Sequence, residues 1–174
     1  MDTLKPEQVP WGETRTREVT WHDPMPPLSA LRSMKGIDFL QGMIDGTVPP
    51  PPIAASLGFT IAAVEPGRAE FQVEPQEYHF NPIGVVHGGL VCTLLDSVLG
   101  CAVHTTLEVG WGYTSIDLNI TYLRPVTLAS GTLTAVGTLV KGGKRVSFAS
   151  GEVRDAAGNL VATGTSSLLM MPPA

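Results

Sequence analysis

The 174-residue sequence has only two cysteines and no long hydrophobic run. Cys92 and Cys101 stand nine positions apart in a segment with helical periodicity, so their side chains lie more than two turns apart and cannot form a disulfide. Two free thiols are typical of a reducing compartment. The N-terminus has no apolar stretch typical of a signal peptide, and no segment has the length of a membrane span. We therefore expect a cytoplasmic protein without a membrane partner.

Basic residues are also few. Eleven lysines and arginines stand against 16 aspartates and glutamates, which leaves a net charge of −5 and an isoelectric point near 5.3. Because nucleic-acid binding usually needs a basic face, we expect no nucleic-acid partner. The four histidines and two cysteines follow no metal-ligand spacing such as HExxH or paired CxxC, which predicts no metal site. The composition favours a compact protein that acts on a small molecule.

The distribution of proline divides the chain near residue 52. Nine of the 15 prolines stand at or before this position, and residues 49–52 are PPPP. We assign residues 1–52 to a proline-rich N-terminal extension and residues 53–174 to the main domain. Within the extension, apolar residues at helical spacing from Ile37 to Ile44 predict one short amphipathic helix, with Gly46 as its C-terminal cap. We expect this helix to act as a lid or a packing strap.

The main domain shows two strand patterns, one long helical pattern and about four further strand patterns. Alternating apolar residues predict a hairpin from residue 57 to residue 73, around the turn EPGR. Residues 87–108 are apolar on nearly every helical face, which predicts a buried central helix. Strand patterns follow at SIDLNITYL, 131–141, 145–154 and 160–170. Short connections favour an antiparallel meander, and hence an α+β fold whose sheet curls around the helix or leaves part of it to a second subunit.

One carboxylate interrupts the apolar central helix. Asp96 is expected to have a partner or a function, because an unpaired charge in a protein interior is costly. The helix begins at His87, where unpaired backbone N–H groups and the helix dipole can polarise a carbonyl group. Asp96 lies eight residues beyond Gly88, roughly 12 Å along the helix axis. If both groups act on one carbon atom, the carboxylate must come from a second, antiparallel copy of the helix, which predicts a homodimer with shared active sites.

The stretch HFNPIGVVHGGLVCTLLD, with SIDLNITYLRPV downstream, resembles the hotdog-fold acyl-CoA thioesterases, specifically the branch of the phenylacetate-degradation thioesterases. The shared pattern is NxxGxxHGGxxxxLxD, and the resemblance covers roughly residues 55–170. It implies the hotdog fold, a curled antiparallel β-sheet wrapped around one long central helix. It also implies hydrolysis of an aryl- or medium-chain acyl-CoA by a homodimer that pairs further into a homotetramer. No cofactor is implied, since coenzyme A is part of the substrate.

The resemblance also implies roles for individual residues. The carboxylate at Asp96 is the general base or the nucleophile, the N–H at Gly88 binds the thioester carbonyl, and Asn81 orients the attacking group. Some branches have Ser or Thr one turn after the acid, but this chain has Gly100 there, so Ser115 is the candidate for assistance. The remaining candidates near the substrate are Gly84, His87, Gly89 and Thr114. For His87, capping the helix or fixing the loop of Asn81 is the alternative to proton transfer.

Basic residues gather in the turn KGGKR, in an otherwise acidic protein. Together with Arg124, this turn is a candidate site for the coenzyme A phosphates. The alternative is a solvated hairpin tip. The turn contributes Lys141, Lys144 and Arg145.

Two other functions remain open. Hydration or dehydration of an acyl thioester occurs on the same fold, but HFNPIG lacks the Asp and His of that branch. A non-catalytic acyl-CoA sensor would have no use for Asp96 in the interior.

Overall fold

A computed structural model of the protein describes residues 4–173. Within these residues, no helix is long and apolar enough to cross a membrane. Short 3₁₀ helices lie at Pro6–Gln8, Glu77–His79 and Leu128–Ser130. The α-helices and strands are α1 (Met25–Leu31), α2 (Gly36–Ile44), α3 (Pro52–Leu57), β1 (Phe59–Glu65), β2 (Arg68–Val73), α4 (Gly88–His104), β3 (Gly112–Ser115), β4 (Asn119–Tyr122), β5 (Leu133–Lys141), β6 (Val146–Arg154) and β7 (Leu160–Met171).

All seven strands form one antiparallel sheet in the order β1-β2-β5-β6-β7-β3, and β4 also pairs with β7. The sheet curls around α4, as predicted for the α+β hotdog architecture. The predictions of a hairpin, a central helix and three final strands are confirmed in their order and approximate bounds. Strands β3 and β4 lie end to end along the same strand, β7, and form one edge of the sheet, while β1 forms the other.

Two predicted bounds are wrong. SIDLNITYL was expected to form one strand, but the structure interrupts it between β3 and β4. There the Asp117 carboxylate accepts the Ser167 N–H at 3.0 Å, so a side chain replaces a backbone acceptor of the ladder. The central helix was expected to reach residue 108 but ends at His104. Just beyond the helix, the Thr105 hydroxyl donates to the carbonyl of Ala102 at 2.7 Å, and the Thr106 hydroxyl donates to the carbonyl of Val103 at 2.8 Å. These hydroxyls thus bind carbonyls of the last helical turn.

Three glycines let α4 lie directly on the sheet. Gly137, Gly151 and Gly164 are neighbours across β5, β6 and β7. A Cβ atom at Gly137 would stand 2.5 Å from the carbonyl oxygen of Val98, well inside van der Waals contact. Cβ atoms at Gly151 and Gly164 would lie 3.1 and 3.3 Å from leucine side chains of the same helix. The core around this contact is closely packed, and Leu94, Leu95, Val98 and Leu99 are fully buried in it.

The extension packs against the curled sheet and α4. The N–H of Gly36, at the start of α2, donates to the carbonyl of Leu107 at 2.9 Å. Phe39, Leu40 and Val48 form a second apolar cluster, which contacts side chains of β1 and α4. Helix α2 coincides with the amphipathic segment expected in the extension, and Gly46 follows it with a positive φ of 75°. A domain boundary near residue 52 stays a prediction.

We expect Gly137→Ala to destabilise the fold, because the added methyl group would force α4 away from the sheet. Overpacking of this kind costs about 1–3 kcal/mol. Gly142→Ala, in the same β5–β6 hairpin, is the matched control, since its Cβ would meet only a leucine methyl group at 3.7 Å. Urea unfolding measures both changes in the free energy of unfolding. Equal stability of the two variants would contradict the close contact between α4 and the sheet.

Candidate active site

Asp96 lies on the one side of α4 that the sheet leaves open. Its carboxylate oxygen Oδ1 accepts a hydrogen bond from the Ser115 hydroxyl at 3.1 Å. The structure thus brings together two of the predicted site residues, from the middle of α4 and the end of β3. The expectation that Asp96 is buried in the interior is wrong for a single chain, in which it is exposed. The reason is that the sheet ends at the short β3 edge and does not close over this face of the helix.

A cavity of about 660 Å³ opens beside this pair. One wall is formed by α4 and β3, and the opposite wall by the extension, α3, β1 and one residue of β2. Most of the lining is apolar, and Asp96 is the only carboxylate among the lining residues. A pocket with few polar groups in an apolar lining is typical of small-molecule sites. From α4 and β3 the wall receives Asp96, Ser97, Cys101, His104, Tyr113 and Ser115.

The N-terminus of α4 offers one backbone donor. His87 is the N-cap, and its ring Nδ1 accepts the N–H of Gly89 at 2.8 Å. The structure therefore places His87 as a helix cap, the alternative to a proton-transfer role. Because Gly89 already donates to His87, its N–H is not free for a substrate. No residue among 4–173 accepts the N–H of Gly88, which leaves this donor for a carbonyl oxygen.

Tyr122 holds the same helix end and was not predicted. Its hydroxyl donates to the carbonyl oxygen of Gly88 at 3.0 Å. Its ring lies 3.2 Å from the position that a Cβ atom of Gly88 would occupy, so only glycine fits there without a shift. In the sequence, Tyr122 is one aromatic residue of a strand pattern, and nothing in that pattern distinguishes it from a packing residue.

Asn81 shapes the loop that leads into α4. Its side-chain oxygen accepts the N–H groups of Ile83 and Val85 at 3.0 and 3.3 Å. Gly84 completes the turn with a φ of 80°, a left-handed conformation that favours glycine. Because the oxygen of Asn81 is committed to the loop, any contact with a substrate would use its side-chain nitrogen. The loop carries the chain to His87, whose N–H donates to the carbonyl of His79 at 2.7 Å.

The structure does not bring all predicted binding residues together. Thr114 lies on the strand face opposite to Ser115, away from Asp96. Arg124 donates its N–H to Val161, at the start of β7, whereas the KGGKR turn meets the end of β7 through Met170. Val161 and Met170 are nine positions apart on β7, which corresponds to roughly 30 Å. In one chain, Arg124 and the exposed Lys141, Lys144 and Arg145 are therefore at opposite ends of the sheet.

The cysteines have environments that disfavour a nucleophilic role. Burial raises the pKa of Cys101 to about 12, and burial together with the nearby Asp96 raises the pKa of Cys92. Thiolate is the reactive form, so both thiols are poor nucleophiles at neutral pH. No cluster of three or more His, Cys, Asp or Glu residues with metal-binding geometry occurs in the part of the chain that the structure describes.

His104 is buried at the end of α4 without a hydrogen-bond partner. Neither ring nitrogen finds a partner among the described residues. The ring packs against Phe39 of the extension and Tyr113 of β3, with ring centroids 6.2 and 5.7 Å away. Burial lowers the pKa of His104 from 6.5 to about 4, so the ring is neutral at pH 7.

The fold is a curled antiparallel sheet around one helix. A carboxylate on this helix faces an apolar cavity, and a free N–H lies at the start of the helix. Together these features define a hotdog-fold enzyme. The sequence profile of the thioesterase superfamily matches residues 83–162. Human acyl-coenzyme A thioesterase 13 is 36% identical over 106 residues, which are 60% of this chain and 74% of that protein. The chain therefore belongs to the thioesterase superfamily, and the predicted resemblance is confirmed.

Solved structures support the same assignment. A phenylacetic acid degradation-related protein of Ralstonia eutropha is 33% identical, with a TM-score of 0.68 over 75% of this chain and 98% of its own. The E. coli PaaI protein, from the phenylacetic acid degradation operon, has a TM-score of 0.69 over 78% of this chain and 95% of its own. At 20% identity, that second likeness concerns the fold alone.

The environment of His104 predicts a pH dependence of stability. Between pH 6.5 and about 4 the unfolded chain binds a proton at His104 and the folded chain does not, so stability falls as the pH falls through this range. The slope from this group is at most about 1.4 kcal/mol per pH unit. We expect His104→Leu to remove this part of the slope, while His22→Leu, at an exposed position, keeps it. Urea unfolding between pH 4 and 7 measures the slope, and parallel curves for wild type and His104→Leu would contradict the prediction.

Proposed function

We propose that the protein hydrolyses an acyl-CoA thioester to the free acid and coenzyme A. The observation that carries this proposal is the Asp96–Ser115 pair on the wall of a largely apolar cavity. The carboxylate and hydroxyl are suited to the thioester, and the apolar wall is suited to the acyl group. The 36% identity to an acyl-coenzyme A thioesterase supports the same reaction.

The proposed chemistry needs one base and one oxyanion donor. Asp96 takes a proton from water as the water oxygen attacks the thioester carbon, or its carboxylate attacks that carbon directly and forms a mixed anhydride, which water then hydrolyses to the free acid. The Ser115 hydroxyl holds Oδ1 of the carboxylate, which leaves Oδ2 for this step. The N–H of Gly88 stabilises the negative charge that develops on the carbonyl oxygen. The C–S bond then breaks, and a thiolate with a pKa of about 8.5 leaves without a strong general acid. This reaction uses no metal or separate cofactor.

The active site is proposed to be completed by a second copy of the chain. Gly88 and Asp96 are eight residues apart on one straight helix, so one chain cannot place both at the same carbon atom. A two-fold axis at the β3–β4 edge and perpendicular to α4 would make the two helices antiparallel and place the Gly88 of one chain opposite the Asp96 of the other. It would also bring Arg124 of one chain towards the KGGKR turn of its partner, where both could bind the coenzyme A phosphates. Large exposed apolar side chains near this edge and the start of α4 are Phe80, Ile83, Ile116, Tyr122 and Leu123.

Asp96→Asn tests the reaction. We expect the variant to lose a hundredfold or more in kcat, the scale typical of a lost general base, because asparagine keeps the shape but not the charge. Release of free thiol is measured with phenylacetyl, benzoyl, hexanoyl, decanoyl and palmitoyl coenzyme A. Asp38→Asn, at an exposed position of α2 outside the cavity lining, is the control and should keep wild-type rates.

Other outcomes would select other functions. If the wild type releases no thiol but hydrates an enoyl thioester, the same fold carries a hydratase. If it binds acyl-CoA and converts none, Asp96 is a structural carboxylate in a sensor.

Mixing two inactive variants tests the shared site. Gly88→Pro removes the N–H at the first helical position, where the backbone tolerates proline, and His87 already has the extended conformation that precedes proline. The Tyr122 ring, 3.2 Å from the position of a Cβ atom at Gly88, must shift by a few tenths of an ångström, so circular dichroism first checks that this variant folds. The inactive Asp96→Asn and Gly88→Pro proteins are mixed, unfolded and refolded together. We expect the refolded mixture to show about a quarter of wild-type activity. Half of the dimers are then mixed, and each mixed dimer has one intact site. No recovery, with dimers seen by light scattering, would mean that each site lies within one chain. The same measurement shows whether dimers pair into the predicted tetramer.

A further inference from the structure

The N-terminal extension forms about half of the cavity wall opposite Asp96, and α3, β1 and one residue of β2 form the rest. Helix α2 contributes the buried Leu40 and the half-buried Met43 and Ile44, and the proline run contributes Pro50 and Pro51. These side chains are apolar, whereas the polar pair of the proposed site lies across the cavity on α4 and β3. A substrate with its thioester at Asp96 would therefore direct its acyl tail towards the extension.

The extension is fastened as a fixed wall. A Cβ atom at Gly36 would stand 1.8 Å from the carbonyl oxygen of His104, which shows how closely α2 approaches the end of α4. At a second point, the Arg17 guanidinium donates to the carbonyls of Ala55 and Ser56 at 3.0 and 2.9 Å. The same group lies 4.0 Å from the ring centroid of Tyr78. The extension is thus tied to the main domain at two points, one before the lining segment and one within it.

The size of the cavity exceeds that of a short or simple aromatic acyl group. A water molecule takes about 30 Å³ in the liquid, and at about this volume for each heavy atom the cavity of about 660 Å³ has room for about 20 heavy atoms. A phenylacetyl group has about half as many. The remaining volume lies against apolar side chains, which favours a long hydrocarbon tail because burying each methylene is favourable.

We propose that the extension forms the acyl-tail subsite and that Met43 sets the accepted chain length, with medium- to long-chain linear acyl groups as the substrate class. This inference rests on the proposed thioester hydrolysis for its orientation. Met43 is the selected position because it is half-buried on the cavity wall and long enough to limit the space in front of it. One methylene in an apolar pocket changes discrimination by about 10- to 200-fold, so a change in this wall should be measurable.

Met43→Trp tests the subsite against Gln41→Trp, which adds the same indole to an exposed position of α2 outside the cavity lining. We expect wild type to prefer decanoyl over butanoyl and phenylacetyl coenzyme A in kcat/KM. We expect Met43→Trp to lose tenfold or more with decanoyl coenzyme A and less than twofold with butanoyl coenzyme A. Gln41→Trp should follow wild type throughout. A loss that is equal for all chain lengths, or a wild type that prefers phenylacetyl coenzyme A, would overturn the proposal.

A hydrolysis-resistant probe separates this proposal from the proposed function. S-decyl coenzyme A, a thioether, is titrated calorimetrically into wild type and both variants, with circular dichroism as the check of folding. Tenfold weaker binding to folded Met43→Trp alone would support the subsite even if the wild type hydrolyses no thioester. Equal binding to all three proteins would overturn the subsite even if hydrolysis is confirmed.

Discussion

The direct contact between α4 and the sheet is the constraint on which the rest of the structure depends. Because Gly137, Gly151 and Gly164 present no side chains, the helix backbone approaches β5 directly, and leucine side chains of the helix pack against β6 and β7. Because the sheet covers the helix on one side, another side of the helix faces the gap between β1 and β3, the two edges of the curled sheet. Asp96 and His104 both lie on that uncovered side. The position of the proposed site thus follows from the packing of the core.

If Asp96 and the N–H of Gly88 act on one carbon atom, as proposed, a single chain is an incomplete enzyme. The carboxylate and the free N–H belong to one rigid helix, and no movement of side chains can bring them to one carbon atom. A second copy could cover the exposed aspartate, the open β3–β4 edge and the exposed apolar side chains beside this edge in a single interface. On this view, the cost of burying Asp96 arises only on association, where the substrate and Ser115 supply its partners.

Local patterns predicted the order of the elements and the central helix, because periodicity is a property of short segments. The pair formed by Asp96 and Ser115 was implied by the resemblance to the thioesterases. Features that depend on distant segments were not predictable. The role of Gly137 depends on which helix crosses it, and the exposure of Asp96 depends on where the sheet ends. Asp117 interrupted a strand because its carboxylate took the place of a backbone acceptor, a competition that alternation of apolar residues does not reveal.

The extension covers part of the side of α4 that the curled sheet does not cover. An uncovered apolar side of α4 would be exposed to water, and α2 covers the end of it that contains His104 while leaving the Asp96 end accessible. This coverage has a cost, since both ring nitrogens of His104 lose water without gaining a partner. The imidazole therefore stays neutral, and adding a proton to it would favour separation of α2 from α4. Formation of the cavity wall and the neutral state of His104 are consequently coupled in one equilibrium.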